Sequence, residues 1–222
     1  FHGNMTIVYR VMDATNDPDR VVQGRVVVQV VDRPEPPQNV SVTPMGAGTA
    51  FVRFDSGASN GGTITGYTIT DKLDGKTYPT RDPGTQITGL VNGERHSFTV
   101  VAHNEAGDSD PSAASAEQLI DAAPEQMAAP TVVGSDGALT VSWTEPRNAG
   151  SRILSYTVLV ASENGGQPVA YTASDSQFSM TIPGLRNGTM YSVQVQAQNK
   201  AETPSPPSSR TEGYPHGAPD QP

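Results

Sequence analysis

Tyr191-Ser192-Val193-Gln194-Val195-Gln196-Ala197-Gln198 decides the fold. Apolar and polar residues alternate without a break. Tyr191, Val193, Val195 and Ala197 therefore share one face of a strand, and the polar residues share the other. One face is buried and one is wet, as in an antiparallel sheet with a solvated side. His96, Phe98, Val100 and Ala102 alternate in the same way, 95 residues earlier. So do Leu139, Val141 and Trp143, and Tyr156, Val158 and Val160, with Ala50, Val52 and Phe54 repeating the theme in the first half.

These matches are parts of one internal repeat. Phe51-Val52-Arg53-Phe54 answers Thr140-Val141-Ser142-Trp143, and Gly66-Tyr67-Thr68-Ile69 answers Ser155-Tyr156-Thr157-Val158, at an offset of 89. Ile87-Thr88-Gly89-Leu90-Val91-Asn92-Gly93 answers Ile182-Pro183-Gly184-Leu185-Arg186-Asn187-Gly188, and Ala102-His103-Asn104 answers Ala197-Gln198-Asn199, at an offset of 95. The second copy thus carries six extra residues between Tyr156 and Ile182, an interval holding the Gly165-Gly166-Gln167 turn. About seven short strands per copy, punctuated by 22 glycines and 19 prolines, predict an all-β chain of two β-sandwiches.

Composition narrows the function. The 222-residue chain has no cysteine, which removes disulfides, thiolate metal sites and thiol nucleophiles, and adds weight to a bacterial surface origin. A net charge of -9 speaks against nucleic acid, whose phosphates call for a basic face. No apolar run is long enough to span a bilayer, and no signal peptide stands at the start. Phe1 in place of an initiator Met suggests a piece of a longer protein.

Each copy resembles a fibronectin type III domain. The marks in the second copy are Pro130, Trp143, Tyr156, Leu185, Tyr191, Asn199 and Pro207-Ser208. In the first they are Pro37, Phe54, Tyr67, Leu90, His96, Asn104 and Pro111-Ser112. The resemblance implies that Tyr191 is the tyrosine of the corner motif, with its hydroxyl bonded back to backbone. Phe54 for Trp and His96 for Tyr depart from the family. His96 is expected to donate to backbone through a ring nitrogen.

The expected boundaries are 36–124 for the first fibronectin type III domain, 125–214 for the second and 215–222 for a tail or linker. Pro34-Glu35-Pro36-Pro37 and Ala122-Ala123-Pro124 read as stiff joints. Residues 1–35 are not a third copy. Met5 to Met12 and Val21 to Val31 read as two strands, rather apolar on both faces, resembling the C-terminal hairpin of a truncated immunoglobulin-like domain. The alternative is that they pack onto the first sandwich.

No constellation points to catalysis, a cofactor or a metal. Asp13, Asn16, Asp17 and Asp19 are oxygen-rich but off the EF-hand spacing, and such residues are ordinary turn formers. His2, His96, His103 and His216 show no zinc spacing. Glu105, Asp108 and Asp110, with Lys200 and Glu202 at the matching place in the second copy, are the candidate ligand-binding residues, placed on solvated loop tips where electrostatic contact to a partner is expected. Residues 36–124 carry ten acids and five bases, and residues 125–212 seven and five, so the first domain is the better match for a basic ligand. Neither tip holds Arg-Gly-Asp, nor a WSxWS box. Three tripeptides (Asn4-Met5-Thr6, Asn39-Val40-Ser41, Asn187-Gly188-Thr189) fit the N-glycosylation pattern.

The resemblance implies an extracellular binding or adhesion module of a bacterial surface protein, anchored through regions outside this chain. Its expected partner is a host protein such as a cytokine, or a polysaccharide. The competing readings are a spacer and an accessory module of a carbohydrate-active enzyme. The latter calls for exposed aromatic platforms, whereas Trp143 and most tyrosines read as core.

Overall fold

The repeated alternation folds as expected. In the computed structural model, which describes residues 2–12, 14 and 18–217, every regular element is a strand apart from one 3-10 turn at Pro18–Arg20. No helix among these residues is long and apolar enough to cross a membrane. The chain divides into two compact units, residues 1–43, 50–87 and 95–118, and residues 44–49, 88–94 and 119–222.

β1 (Gly3–Met12) and β2 (Val21–Val30) form an antiparallel hairpin paired over ten positions, Gly3 with Val30 through Met12 with Val21. The first repeat follows with β3 (Gln38–Gly46), β4 (Thr49–Asp55), β5 (Gly66–Asp71), β6 (Thr77–Thr80), β7 (Gly84–Thr88), β8 (Glu94–His96), β9 (Phe98–Asn104), β10 (Gly107–Asp108) and β11 (Gln118–Ile120). Its sheets run β3-β4-β7 and β10-β9-β5-β6, with β11 paired to β8. The second repeat comprises β12 (Thr131–Ser135), β13 (Ala138–Ser142), β14 (Ser155–Ser162), β15 (Val169–Ser174), β16 (Ser179–Pro183), β17 (Tyr191–Gln198) and β18 (Thr211–Gly213). Its sheets run β12-β13-β16 and β15-β14-β17-β18.

The alternating residues are the cores. Val52, Ile69, Phe98, Val100 and Ala102 are fully buried in the first repeat, with Phe54 against Tyr67 at 4.8 Å, edge to face. Leu139, Val141, Tyr156, Val158, Val193, Val195 and Ala197 do the same in the second, joined by Trp143. Dispersion and water exclusion, not propensity, hold such layers together.

Register locates the six extra residues. Tyr67 pairs with Thr80, thirteen positions on, and Tyr156 with Ala173, seventeen on. Four of the six therefore lengthen the β14–β15 hairpin around its Gly165-Gly166 turn, where both glycines have positive φ. The other two lie between β15 and β16.

The final segment of each repeat pairs by an unusual route. Ser109, Ser112 and Ser115 each donate a backbone N–H to β9, to the carbonyls of Ala102, Val100 and Phe98 respectively. Their hydroxyls accept from the N–H groups of the same three residues at 2.9–3.0 Å. Ser205 and Ser208 repeat this against Ala197 and Val195. A period of three is that of polyproline II, so prolines sit between the serines without disturbing the pairing.

Candidate functional site

The acidic tip of the first unit is built around Asn104, which ends β9. Its side-chain carbonyl accepts from Ala106 N at 2.8 Å, and its amide donates to the carbonyls of Asp32 (2.8 Å) and Ser59 (3.1 Å). One buried amide thus pins the tip, the entry to the sandwich and the 56–65 loop to each other. Asn199 repeats the device, accepting from Ala201 N and donating to the carbonyls of Ala122 and Ser151. A polar side chain with all its groups satisfied stabilises such a crossing, while an orphaned one would destabilise it.

The five candidate residues do not form one cluster. Glu105, Asp108 and Asp110 share the tip. Glu105 accepts from Thr63 N at 3.1 Å. Asp108 reaches back to His103 Nδ1 at 2.6 Å, and the other ring nitrogen of His103 meets the Thr68 hydroxyl at 2.8 Å. Asp110 is exposed and lines a small polar hollow with Asp32, Glu35, Arg33 and Asn60. Lys200 and Glu202 belong to the second unit. Lys200 Nζ donates to Glu94 at 2.9 Å and to the Gly93 carbonyl at 3.0 Å, so its charge is already engaged, and Glu202 is exposed.

Among the carboxylates expected to be solvated at this tip, Asp108 gains a partner. That residue is exposed yet tied to a histidine, because the β9–β10 hairpin sets residues 103 and 108 directly opposite each other. His103 was not singled out as a site residue. It borders an open hollow of about 510 Å³ with Thr65, Thr68, Pro79 and Arg81. The signal was present in the alternation of β9, whose outward positions are Thr99, Val101 and His103, but nothing in one strand reveals what stands across from it.

The calcium-type cluster is only partly open to description, since Asp13, Asn16 and Asp17 lie outside the described residues. Asp19 sits in the 3-10 turn. Among the described residues no group of three His, Asp or Glu side chains is placed to hold a metal.

Two buried polar devices distinguish the copies. At the corner position of the second repeat, Arg186 N donates to the Tyr191 hydroxyl at 3.0 Å, as expected. At the same place in the first, His96 Nδ1 meets Asp71 Oδ2 at 2.6 Å, with both side chains fully buried. The expectation for His96 considered only backbone. Asp71, which also accepts from Leu73 N at 3.0 Å, is the missed partner. In the turn beside it Lys76 and Asp74 pair at 2.7 Å. That hydrogen bond holds the Asp74 carboxyl below its ordinary range and raises the Lys76 ammonium.

The second device is the core tyrosine. Tyr67 shares a hydrogen bond with Ser56 at 2.5 Å. Tyr156, its counterpart, is fully buried and its hydroxyl has no hydrogen-bond partner, because the residue matching Ser56 is Glu145. Burial pushes the Tyr156 phenol up to about 12, with the Glu145 and Asp175 carboxylates adding to it. A folded-state value above the unfolded one near 10 means the unfolded chain loses its proton first. The stabilising effect is therefore present below about pH 10 and fades as pH rises toward 12. Tyr156→Phe is expected to be neutral or slightly stabilising at pH 7 and to remove about 1.4 kcal/mol of alkaline destabilisation at pH 11, midway through the shift. Urea unfolding at pH 7 and pH 11 measures both.

Comparison with known proteins agrees with this architecture. The model of the fibronectin type III domain matches residues 35–118 and again 122–212. The chain is 28% identical over 206 residues to human Protein sidekick-1, covering 84% of this chain and 9% of that protein. It is 36% identical over 110 residues to mouse Tenascin-R, covering 50% of this chain and 8% of that one. It therefore spans under a tenth of either relative. A two-domain fibronectin type III segment from chicken tenascin superposes with a TM-score of 0.56 at 20% identity, covering 81% of this chain and 99% of the segment. These relatives are animal proteins and lend no support to a bacterial origin. Two family matches over most of the chain, and the doubled sandwich itself, establish that the chain belongs to the fibronectin type III family.

Proposed function

We propose that the chain is an extracellular protein-binding module of the adhesion type, carried by a larger surface protein and anchored outside this region. The observation that carries the reading is the tip of the first unit. Asn104 holds its backbone fixed while Asp110 and Glu105 remain exposed. A preorganised loop loses little entropy on binding, and carboxylates at its rim steer a basic partner. Nothing in either sandwich suggests chemistry beyond recognition, and fold alone does not assign a ligand.

In its finer form the proposal is a bacterial surface protein that meets host proteins such as cytokines, or polysaccharide. Residues 1–35 are then the closing hairpin of an immunoglobulin-like domain, ahead of modules at 36–124 and 125–214. The sequence resemblance supports this form. Immobilised chain should capture a saturable partner from a panel of purified extracellular proteins. Asp110→Lys should weaken that capture at least tenfold, while Glu202→Lys leaves it intact. Absence of any saturable partner would favour the spacer reading.

A further inference from the structure

The register of the N-terminal hairpin sorts its side chains into two unlike faces. Directly opposed residues of an antiparallel pair project to the same side. Met5, Ile7, Tyr9 and Val11 therefore lie with Val28, Val26, Gly24 and Val22. Asn4, Thr6, Val8 and Arg10 lie with Gln29, Val27, Arg25 and Gln23. The first face has no polar side chain apart from the Tyr9 hydroxyl, while the second carries two arginines and two glutamines. That second face also holds Val8, Val27, Met12 and Val21, so the expectation of two rather apolar faces is met fully on the first and only in part on the second. The ring of Tyr9 lies across Gly24, where a Cβ would collide with it, so the glycine keeps the face continuous.

None of the described residues covers the first face. Its seven large apolar residues are 38–70% exposed, and β1-β2 is a sheet of two strands only. The hairpin is held to the first unit at its base, through Asp32 N to the Asn60 carbonyl, Glu35 N to that of Ala58 and the Gln29 amide to that of Gly61, and its apolar face takes no part. Side chains of this size, about half exposed, leave about 600 Å² of contiguous apolar surface, at the upper end for a monomer. Two such faces together would bury about 1,200 Å², the lower bound for a specific interface. The strands are equal in length, ten residues each, and paired without a bulge, which suits packing against another β layer of the same kind.

We propose that this face is a self-association surface, covered by the same face of a second copy of this chain. The two hairpins stack about a twofold axis into a four-stranded double layer, with Arg10, Arg25 and Gln23 left to water and Gln29 kept on the Gly61 carbonyl. A twofold interface is self-complementary, so one patch suffices. The proposal does not involve the acidic tip, but it is an alternative to an immunoglobulin-like domain closed by residues 1–35, whose own strands would cover the same face.

Sedimentation of the 222-residue chain from about 1 to about 100 µM, a range bracketing the affinities of small interfaces, is expected to show a concentration-dependent shift to a two-copy species. Ile7→Thr/Val26→Thr keeps β-branched residues in both strands and should raise the dissociation constant at least tenfold. Thr6→Lys/Gln23→Glu, on the opposite face and clear of the Gln29 contact to Gly61, should leave association unchanged. A chain that is monomeric throughout would overturn the proposal and assign the missing layer to strands of an adjoining domain. Equal weakening by both variants, or open-ended aggregation with no two-copy plateau, would overturn it too. Either result leaves the Asp110 experiment untouched.

Discussion

His96→Ala is expected to destabilise the first sandwich by about 3–5 kcal/mol, the range for removing one partner of a buried charged pair. The cause is the carboxylate left behind. Asp71 is fully buried. With the imidazole gone, its Oδ2 loses a 2.6 Å partner, and the Leu73 N–H contact on Oδ1 does not offset the desolvation of a charge. Asp71→Ala/His96→Ala should cost less than the two single changes added together, because no charge remains to be stranded. Hydrogen exchange of the β9 amides, which lie next to His96 in the chain, measures the effect. Purely additive losses would mean that the two residues merely fill space.

Trp143→Ala should cost the second sandwich a similar amount, about 3–5 kcal/mol, by a different mechanism. Trp143 is almost wholly buried and sits 5.7 Å from Tyr156, which in turn meets Phe178 at the same distance. Truncation opens a cavity at one end of that aromatic row, and close-packed neighbours relax into it only in part. The first repeat shows what a milder change looks like. Phe54 occupies the equivalent place and closes on Tyr67 to 4.8 Å. Trp143→Phe is therefore expected to lose under about half as much as the alanine. Thermal unfolding followed by far-ultraviolet circular dichroism reads both variants, since the single tryptophan is lost as a probe. Equal losses from Phe and Ala would show that the site cannot repack.

The alternations in Tyr191–Gln198 and Phe98–Asn104 made the sandwiches legible, because period two is a local property and burial follows it directly. The backbone bond of the Tyr191 hydroxyl was legible only through the family resemblance, and the structure gives its partner as Arg186 N, five residues away. Asp71 was not, being 25 residues from His96 and joined to it only by the β5–β9 pairing. Pairing also set Asp108 against His103 and separated the hairpin's apolar face from its polar one. Within β2 alone, Val26, Val27 and Val28 look alike. Only the opposing residues Ile7, Thr6 and Met5 tell their sides apart. Of the candidate site, the tip residues were found by their place in the repeat. The commitment of Lys200 to Glu94 was hidden, because a long flexible side chain leaves no periodic trace.

The three-residue spacing of the serines has a consequence for growth at the sheet margin. Between them, the carbonyls of Asp110, Ala113 and Pro206 accept from the preceding serine hydroxyl, so these residues contribute backbone only, and Pro111 and Pro207 sit beside them. A proline there offers no N–H to an incoming strand, so each sandwich ends in a border that resists templating by a neighbour. Substitution at these places should be cheap for folding, yet loss of the prolines would remove a guard against runaway edge-to-edge assembly.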